Sequence, residues 1–466
     1  MITHSLKLNR LFLFLIFIGG YASLALELIV LRNLSSFVGN TSVTASIIIG
    51  TVLLFMALGY YKGSIYPLKK RVLRKTLASS FLWSGVLAFL SASFLISSFL
   101  FACFYDLGVY SNLTQTFIFS FLMLTIPSFL FGRITALISR YFHRTNPHYT
   151  GKILALDTIG SFLGSLLTTL VLMPFIGVNH TVTLLVFVLF LSYLLLKKKK
   201  LLSSIFPLFI LLLSLAINSN TFLNAGFNIV ENNAVSTIAL IPQDEGKSTL
   251  ITINGSLAAK SSLDNEYLFP YINYIEENFI ETMPQDEKKD ILILGAGAFV
   301  LGKSDTFHNY TYVDIEKTLQ PISEELFGEK LTPNKTFIVQ DANQFLKETK
   351  QKYDFIVIDV YGAGTYIPMD FVTKEFFTRV QSRLKENAFM TMNIIAKPMK
   401  TDDFSQKIEN SLFSVFGSNL SKIIPERHYN PWVQKFYNVL YTVYNKPQNN
   451  HIYTVDKNTL LFDNIR

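Results

Sequence analysis

Apolar runs dominate the first 218 residues of the chain, and they constrain its fold more than any other feature. Seven such runs lie at about 11–31, 41–61, 77–103, 114–139, 153–176, 180–196 and 201–218. Each is close to the roughly 20 residues that a helix needs to cross a bilayer. The first run lacks the small-residue cleavage site of a secretory signal peptide, so we expect it to be retained. The sequence predicts a multi-pass α-helical membrane domain of about seven spans over residues 1–220.

Lysine and arginine lie in alternate loops between these runs. The loop after the second run, the loop after the fourth and the segment Lys197–Lys200 are cationic, whereas 106–112 and 177–179 contain no Lys or Arg. Cationic loops stay in the cytoplasm, so the formal charge of +8 is interpreted as a topology signal and not as a nucleic-acid-binding surface. We expect a multi-pass protein of the cell membrane, of the bacterial plasma-membrane type, with the lipid bilayer and no nucleic acid as partner.

The side of the membrane that the second half faces depends on the number of spans. Seven crossings that start in the cytoplasm place it outside, which the loop charges favour. If the run 201–218 is re-entrant or interfacial, six crossings place it in the cytosol. Both alternatives stay open.

Two carboxylates, Glu27 and Asp157, lie inside predicted spans. A charged side chain costs a few kcal/mol in the hydrocarbon, so each is expected to face the bundle or to lie near an interface. One interpretation is a proton or substrate site within the membrane. The favoured one is structural, an ion pair or hydrogen bond, with Arg133 of the fourth run as a candidate partner.

Beyond residue 220 charged residues return at ordinary density. Val235–Ile241 and Ser248–Ile253 are β-rich, and Asn254-Gly255 is a strong turn signal, so a β-hairpin lead-in is predicted over 221–286. From 287 to 466 short apolar strands alternate with helical stretches, which is typical of a doubly wound, Rossmann-like parallel sheet. The predicted strands are Ile291–Leu294, Tyr310–Val313, Thr336–Val339 and Tyr353–Ile358.

Each of these four strands ends in glycine or aspartate, where ligands of open α/β sheets bind. Gly295 and Gly297 let the backbone come close to a nucleotide, and Asp314 stands where an acid binds ribose hydroxyls. Asp341 can accept from an adenine amino group, and Asp359 faces the reacting groups. The alternative is that these acids only cap the helices that follow.

With these motifs in place, the second half resembles a spermidine synthase domain. The resemblance rests on 293–297 (ILGAG), 313–316 (VDIE), 340–342 (QDA), 353–359 (YDFIVID) and 373–376 (TKEF). The first half is similar to that of membrane-fused spermidine synthase-like proteins, through 25–28 (ALEL), 126–132 (IPSFLFG) and 156–164 (LDTIGSFLG).

This resemblance implies a class I S-adenosylmethionine-dependent transferase fold. It implies Asp314 on the ribose, Asp341 and Ala342 near the adenine, and Asp359 as the first acid of the active-site loop. It also implies decarboxylated S-adenosylmethionine or S-adenosylmethionine as co-substrate, a small-molecule amine as acceptor, no metal, and a homodimer formed through the synthase-like domain.

The chain departs from the family pattern on the acceptor side of the site. Ala298 and Gly362 stand where the family has acids, Ser236 where it has a glutamine, and Pro270 where it has a histidine. An amine nucleophile is protonated at neutral pH and must lose a proton, so a less acidic pocket leaves aminopropyl and methyl transfer both open. Asp359 remains as the base, with Tyr361 or Tyr366 expected to contact the acceptor.

The sequence therefore predicts a membrane-bound transferase. A second hypothesis is a transporter or membrane binding protein with a degenerate nucleotide domain, since an enzyme that uses a cytosolic nucleotide should not face outside. A third is a dinucleotide-dependent oxidoreductase, which fits the two glycines and Asp314 but gives Asp341 no special role.

Overall fold

The structure is a computed structural model, and it separates the chain into two compact units. One unit comprises 1–264 with 361–366, and the other comprises 265–360 with 367–466. The described residues are 2–39, 41–65, 70–143, 149–197, 200–262, 269–327, 330–362, 367–397, 403–417, 419–426 and 436–445.

In the described residues the first unit begins with nine helices, of which all but the last lie in the apolar runs. They are α1 (Ile2–Val38), α2 (Ser42–Ser64), α3 (Lys70–Ala92), α4 (Phe94–Asp106), α5 (Asn112–His143), α6 (Tyr149–Leu167), α7 (Met173–Leu195), α8 (Lys200–Ile217) and α9 (Asn220–Phe227). A π-helical turn, Thr168–Leu172, joins α6 to α7. The helical first half that the sequence predicts is confirmed.

Among the described residues, four helical stretches are long and apolar enough to cross a membrane: Leu8–Val38, Ser42–Ser64, Asn112–His143 and Tyr149–Leu195. Two bent pairs, α3 with α4 and α8 with α9, raise the number to six if each pair is one span. The predicted count of seven is not confirmed. The difference arises because the fifth and sixth apolar runs form one helical stretch of 47 residues, interrupted at Gly177 (φ 78°, ψ 165°).

Glycines bring the helices of this unit into backbone contact. A Cβ on Gly59 of α2 would lie 2.1 Å from the Phe129 carbonyl oxygen of α5, and one on Gly160 of α6 would lie 2.2 Å from that of Phe17 of α1. Close approach at small residues is how helices pack where lipid removes the hydrophobic driving force.

A four-stranded antiparallel sheet completes the first unit. Its strands are β1 (Ile229–Asn232), β2 (Thr237–Gln243), β3 (Ser248–Ile253) and β4 (Ser256–Ser262), paired in chain order. The predicted turn at Asn254-Gly255 is confirmed, and both residues have positive φ, 49° and 75°. This is the conformation that a tight hairpin turn requires.

Arg32 near the end of α1 joins this sheet to the helices. Its Nε donates to the Asn233 carbonyl oxygen at 2.8 Å, and its Nη2 donates to Thr237 Oγ1 at 3.3 Å. Arg32 is buried, so these bonds satisfy donors that would otherwise be costly to desolvate. The sheet therefore groups with the helices.

The second unit is a Rossmann-like α/β domain around a seven-stranded sheet. The order is β10-β11-β9-β8-β5-β6-β7, parallel from β9 to β7 and antiparallel at β10 and β11. The strands are β5 (Asp290–Leu294), β6 (Asn309–Asp314), β7 (Lys335–Val339), β8 (Tyr353–Ile358), β9 (Leu384–Ala396), β10 (Leu420–Ile423) and β11 (Tyr437–Tyr444). The helices are α10 (Pro270–Ile275), α11 (Leu319–Phe327), α12 (Ala342–Glu348), α13 (Lys374–Ser382) and α14 (Asp403–Phe416).

The four predicted strands are neighbours in this sheet, in the order β8-β5-β6-β7. All four therefore present their carboxyl ends at one edge. Strands β5 and β8 are buried almost throughout, which fixes the positions of the loops that follow them.

Candidate nucleotide-binding and active site

The glycine-rich loop after β5 is held against the end of β8. Gly295 has φ +89°, and a Cβ there would lie 2.2 Å from the Asp359 carbonyl oxygen. Gly297 also has positive φ, 52°. Only glycine satisfies both the conformation and the close approach at position 295.

Asp314 at the end of β6 binds this loop directly. Its Oδ2 accepts from the Ala296 backbone N–H at 3.0 Å, and its Oδ1 accepts from that of Glu316 at 3.0 Å. Burial raises the pKa of Asp314 to about 6, against the lowering effect of these hydrogen bonds. The Ile315 backbone N–H also binds this carboxylate, and its two oxygens together have about four acceptor sites, so capacity to accept from a ribose hydroxyl remains.

Asp341, after β7, caps the helix that follows it. Its Oδ1 accepts from the Gln344 backbone N–H at 2.8 Å, at the N-terminus of α12. The capping alternative therefore applies to this acid. The side chain is exposed and Ala342 beside it is buried, so Oδ2 is available to a ligand at the same edge of the sheet.

Asp359, the predicted base, is held by two donors. Tyr271 donates its hydroxyl to Oδ2 at 2.8 Å, and Asn393 donates its amide to Oδ1 at 3.0 Å. Desolvation raises the pKa of the Asp359 carboxyl above its ordinary value, opposed by the hydrogen bonds from Asn393 and Tyr271. A carboxylate with a raised pKa and a fixed orientation is a stronger base than a solvated one.

Three of the predicted site residues therefore meet around one loop. Gly295 contacts the backbone of Asp359, and Asp314 binds the residue between the two glycines. Asp341 stands at the end of the outer parallel strand. Whether these residues bind a nucleotide stays a prediction.

The structure places the departures from the family pattern as follows. Ala298 is buried, and its carbonyl accepts from Ser323 Oγ at 2.7 Å. Pro270 begins α10, where its fixed φ suits the first turn. Ser236 and Gly362 belong to the other unit, where the Gly362 carbonyl accepts from Ser256 Oγ at 3.3 Å. Tyr361 is in that unit too, and Tyr366 lies outside the described residues.

Sequence reasoning missed Tyr271, Asn393 and Glu276. Tyr271 precedes Asp359 by 88 positions, and Asn393 lies inside the long strand β9, so no local pattern connects them to the site. The only sequence signal was that Tyr271 follows Pro270 in the segment compared with the family.

Glu276 connects the helical segment before the sheet to the end of the glycine-rich loop. Its Oε1 accepts from the Gly302 backbone N–H, and the side chain is 5% exposed. Burial is the main cause that raises the pKa of Glu276 to about 7, with further contributions from Glu281 and Asp305. The segment that carries Tyr271 is thereby linked to the loop that carries Gly295.

Comparison with known families decides the kind of domain. Residues 274–438 match the model of the "Spermine/spermidine synthase domain". This part of the chain is spermidine synthase-like. The match includes Gly295, Asp314, Asp341 and Asp359, and the predicted resemblance is confirmed.

Two curated relatives carry the same kind of name. Polyamine aminopropyltransferase 2 of Aquifex aeolicus (strain VF5) is 24% identical over 399 residues, which cover 80% of this chain and 76% of that protein. This match is longer than the part of the chain after residue 220, so it includes part of the helical region. Polyamine aminopropyltransferase of Sulfurisphaera tokodaii is 32% identical over 101 residues, 20% of this chain and 34% of that protein.

Solved structures are similar to part of the chain. A probable spermidine synthase from Corynebacterium glutamicum is 22% identical, with a TM-score of 0.39 over 45% of this chain and 77% of that chain. Spermidine synthase from Thermotoga maritima is 11% identical, with a TM-score of 0.34 over 45% of this chain and 70% of that chain. The family match and the curated relatives indicate a transferase of the aminopropyltransferase kind.

Proposed function

We propose that this spermidine synthase-like chain is an integral membrane transferase. It moves an aminopropyl group from decarboxylated S-adenosylmethionine to a small-molecule amine. The observation that carries this proposal is the position of Asp359, beside the glycine-rich loop and held by Tyr271 and Asn393, within the matched synthase domain.

The reaction needs two steps at the acceptor nitrogen. The Asp359 carboxylate first takes a proton from the acceptor ammonium, which leaves a neutral amine and a carboxylic acid. The nitrogen lone pair then attacks the carbon next to the sulfonium, so that an N–C bond forms, the C–S bond breaks and methylthioadenosine leaves. The raised pKa of Asp359 favours the first step, because a more basic carboxylate accepts the proton more readily.

The glycine-rich loop is less acidic than the family pattern implies. Ala298 adds no charge there and is itself buried. With fewer carboxylates to attract a polycation, S-adenosylmethionine is the alternative donor, and methyl transfer with release of S-adenosylhomocysteine is the alternative reaction. The two reactions are distinguished by which nucleoside product forms.

Helix directions support seven crossings. Residues 9, 19 and 38 of α1 contact residues 141, 134 and 112 of α5, respectively. The residue numbers rise along α1 while they fall along α5, so these two helices are antiparallel. Helix α6 runs parallel to α1, because Phe17 meets Gly160 and Tyr21 meets Gly164.

Helix α7 runs opposite to α3, since Arg74 binds the Leu196 carbonyl and Gly85 contacts Phe190. Asn33, near the carboxyl end of α1, donates to the Ala92 carbonyl at the carboxyl end of α3. The two helices therefore end at the same level and run parallel. The chain therefore reverses between α6 and α7, at Gly177, which supports the proposal that the 47-residue stretch makes two crossings.

We propose that the chain lies in the cell membrane with its cationic loops in the cytoplasm. The four-stranded sheet is bound to the end of α1 opposite those loops, through Arg32. The loop charges then favour a carboxy-terminal half outside the cytoplasm, where the co-substrate would have to be supplied from the cytosol across the membrane. Fusions of alkaline phosphatase and of green fluorescent protein to the carboxyl terminus test this. We expect phosphatase activity and no fluorescence, whereas the reverse contradicts seven crossings.

Nucleotide binding is the direct test of the transferase proposal. Titration of the full chain in detergent with methylthioadenosine should release or absorb heat, and Asp314→Ala should abolish that heat. Asp286→Ala, which removes an exposed carboxylate from the same domain, is the matched control and should bind like the wild type. Absence of heat with both methylthioadenosine and S-adenosylhomocysteine would remove the proposal, and binding of NADH instead would favour an oxidoreductase.

A further inference from the structure

Helix α2 is the most exposed of the four long apolar helical stretches. Only 22% of its most apolar window is buried within the protein, against 56–61% for the other three. Leu53, Leu54 and Leu58 of this helix are 46–62% exposed. A contiguous apolar surface of this kind marks a contact with a membrane or with another protein. In the membrane location proposed above, α2 therefore faces lipid.

A groove lies between α2 and α5. The two helices are parallel and touch each other, because Gly59 lies against the Phe129 carbonyl and Gly63 lies against Ala136. Next to this contact their side chains form a groove of about 330 Å³, lined by Phe55, Leu58, Tyr61 and Lys62 of α2 and by Thr125, Ile126 and Phe129 of α5. This volume is within the range of about 300–1,000 Å³ that is usual for small-molecule sites.

The walls of the groove are suited to a hydrocarbon chain. Phe55 and Phe129 are half-buried, whereas Leu58 and Ile126 are about half exposed. Thr125 donates its hydroxyl to the Phe121 carbonyl of its own helix, so this donor is already satisfied. A polar ligand would lose its hydration here without gaining hydrogen bonds from these side chains. The walls therefore favour an apolar occupant.

Lys62 gives the groove one charged end. It lies in the last turn of α2 and is exposed, and within the residues that the structure describes it forms no ion pair or hydrogen bond. Its ammonium nitrogen is 6.0 Å from the centroid of the Tyr61 ring. Lysine beside tyrosine is typical of a helix end at the membrane–water interface. The charge of Lys62 is therefore available to an anion.

The length of the groove corresponds to most of one leaflet. Phe55 is near the middle of the 23-residue helix α2, and Lys62 is in its last turn. Seven residues at about 1.5 Å each separate these two positions by about 10 Å along the axis. One leaflet contributes roughly 15 Å, half of a hydrocarbon core of about 30 Å. The groove therefore extends from the middle of the bilayer to the end of α2 that the cationic loop follows.

We propose that this groove binds one anionic phospholipid of the cytoplasmic leaflet, with an acyl chain between Leu58 and Phe129 and its headgroup on Lys62. The proposal rests on the membrane location given under the proposed function. Cationic pockets between membrane helices on the cytoplasmic side suit such headgroups, because lysine attracts a phosphate as a point charge. A second copy of the chain is a less suitable occupant, since a two-fold dimer through this groove would bring two Lys62 side chains together.

Native mass spectrometry of the delipidated full chain in detergent tests the proposal. The chain is mixed with equal amounts of phosphatidylglycerol and phosphatidylcholine that have identical oleoyl chains. We expect the first bound lipid to be phosphatidylglycerol with about tenfold preference, because only this lipid has a net negative charge for Lys62. Lys62→Gln should remove the preference. Leu58→Trp, which fills the groove, should lower the binding of both lipids about tenfold.

Two matched variants keep the outcome specific. Lys75→Gln removes an exposed charge near the start of α3, after the same cationic loop. Leu53→Trp adds an indole at an exposed position of α2 outside the groove. Both should bind lipid like the wild type.

Three results would overturn the proposal: equal binding of the two lipids, an equal loss of preference in Lys75→Gln, or a dimer that Leu58→Trp dissociates without changing lipid binding. The last result would assign the groove to a second copy of the chain. A chain that prefers phosphatidylglycerol in this way but binds no adenosyl nucleotide loses the transferase proposal only. Loss of the lipid site, conversely, leaves nucleotide binding as the test of the transferase.

Discussion

The helical unit and the synthase domain use glycine for different physical reasons. Gly59 and Gly160 lie within helices. At each of them a carbonyl oxygen of a neighbouring helix would lie within 2.2 Å of an added Cβ, so a side chain is excluded. Gly295 and Gly302 have φ of +89° and +70°, a conformation that other residues adopt only with strain. The same residue type therefore sets helix spacing in one region and loop shape in the other.

The two regions also treat carboxylates differently. Asp359 receives one hydrogen bond on each oxygen, which fixes its orientation for a proton transfer. Glu27 receives none in the described residues, although it is more than nine-tenths buried. The difference teaches that burial alone does not orient a carboxylate, whereas a donor on each of its oxygens does.

Helix spacing should show the largest effect on stability. Gly160→Ala places a methyl group against the Phe17 carbonyl, and such overpacking costs about 3 kcal/mol. The control is Gly50→Ala, at an exposed helical glycine with nothing within 4 Å of the added Cβ, which should be neutral or slightly stabilising. Thermal unfolding of both variants in detergent measures the contrast. Equal midpoints would show that the α1–α6 contact does not determine the fold of this unit.

The synthase domain should lose stability as the pH rises. The pKa of Glu276 is raised from its ordinary 4.5 to about 7. Its contribution is therefore fully present below about pH 4.5 and is lost as the pH rises through about 7, a loss of roughly 3 kcal/mol. Glu276→Gln keeps an acceptor for the Gly302 N–H and removes the titration. Between pH 5 and 8.5 the unfolding midpoint should therefore fall less in the variant than in the wild type. The same pH dependence in both proteins would contradict the attribution of this loss to Glu276.

The hydrogen bond on Asp359 should affect rate more than binding. Tyr271→Phe removes one of two donors, which should lower turnover about tenfold, since a hydrogen bond to a charged group contributes about 1.5 kcal/mol. Because that bond lowers the pKa of Asp359, the rising limb of the pH–rate profile should move to higher pH. Tyr274→Phe, on the same helix, should leave both unchanged. A change in affinity alone would assign Tyr271 to acceptor binding.

The smallest effect on stability is expected at Asp341, where two variants distinguish helix capping from ligand binding. Asp341→Ala should cost about 1 kcal/mol, because the Gln344 N–H loses its acceptor. Asp341→Asn keeps the cap, so its stability should match the wild type. If Asp341 also accepts from adenine, both variants should bind methylthioadenosine more weakly. Wild-type affinity in Asp341→Asn would leave Asp341 as a cap only.

Sequence patterns predicted the features that depend on neighbouring residues. The strands Ser248–Ile253 and Tyr353–Ile358 were predicted with the bounds that they have, because each is rich in β-forming residues and ends at a polar or turn residue. The turn at Asn254-Gly255 followed from the same local rules. Strands β10 and β11 were not predicted, since their pairing depends on β9 and on distant sequence.

Contacts between distant residues were beyond sequence reasoning. The bond from Arg32 to Asn233 spans 201 positions, and the bond from Tyr271 to Asp359 spans 88. Asp314 was assigned to ribose, and its additional role of holding the Ala296 N–H became visible only when the strands stood side by side. These hydrogen bonds form between side chains that folding buries together, and no periodic sequence pattern predicts them.

Group transfer itself is the most direct test of the proposed function. The full chain is incubated with decarboxylated S-adenosylmethionine and a series of linear amines, and methylthioadenosine and the alkylated amine are quantified together. We expect equal amounts of the two products, and a rate that falls by roughly 10²–10⁴-fold in Asp359→Asn, the loss typical of removing a general base. Absence of methylthioadenosine with every amine, or an unchanged rate in Asp359→Asn, would contradict it.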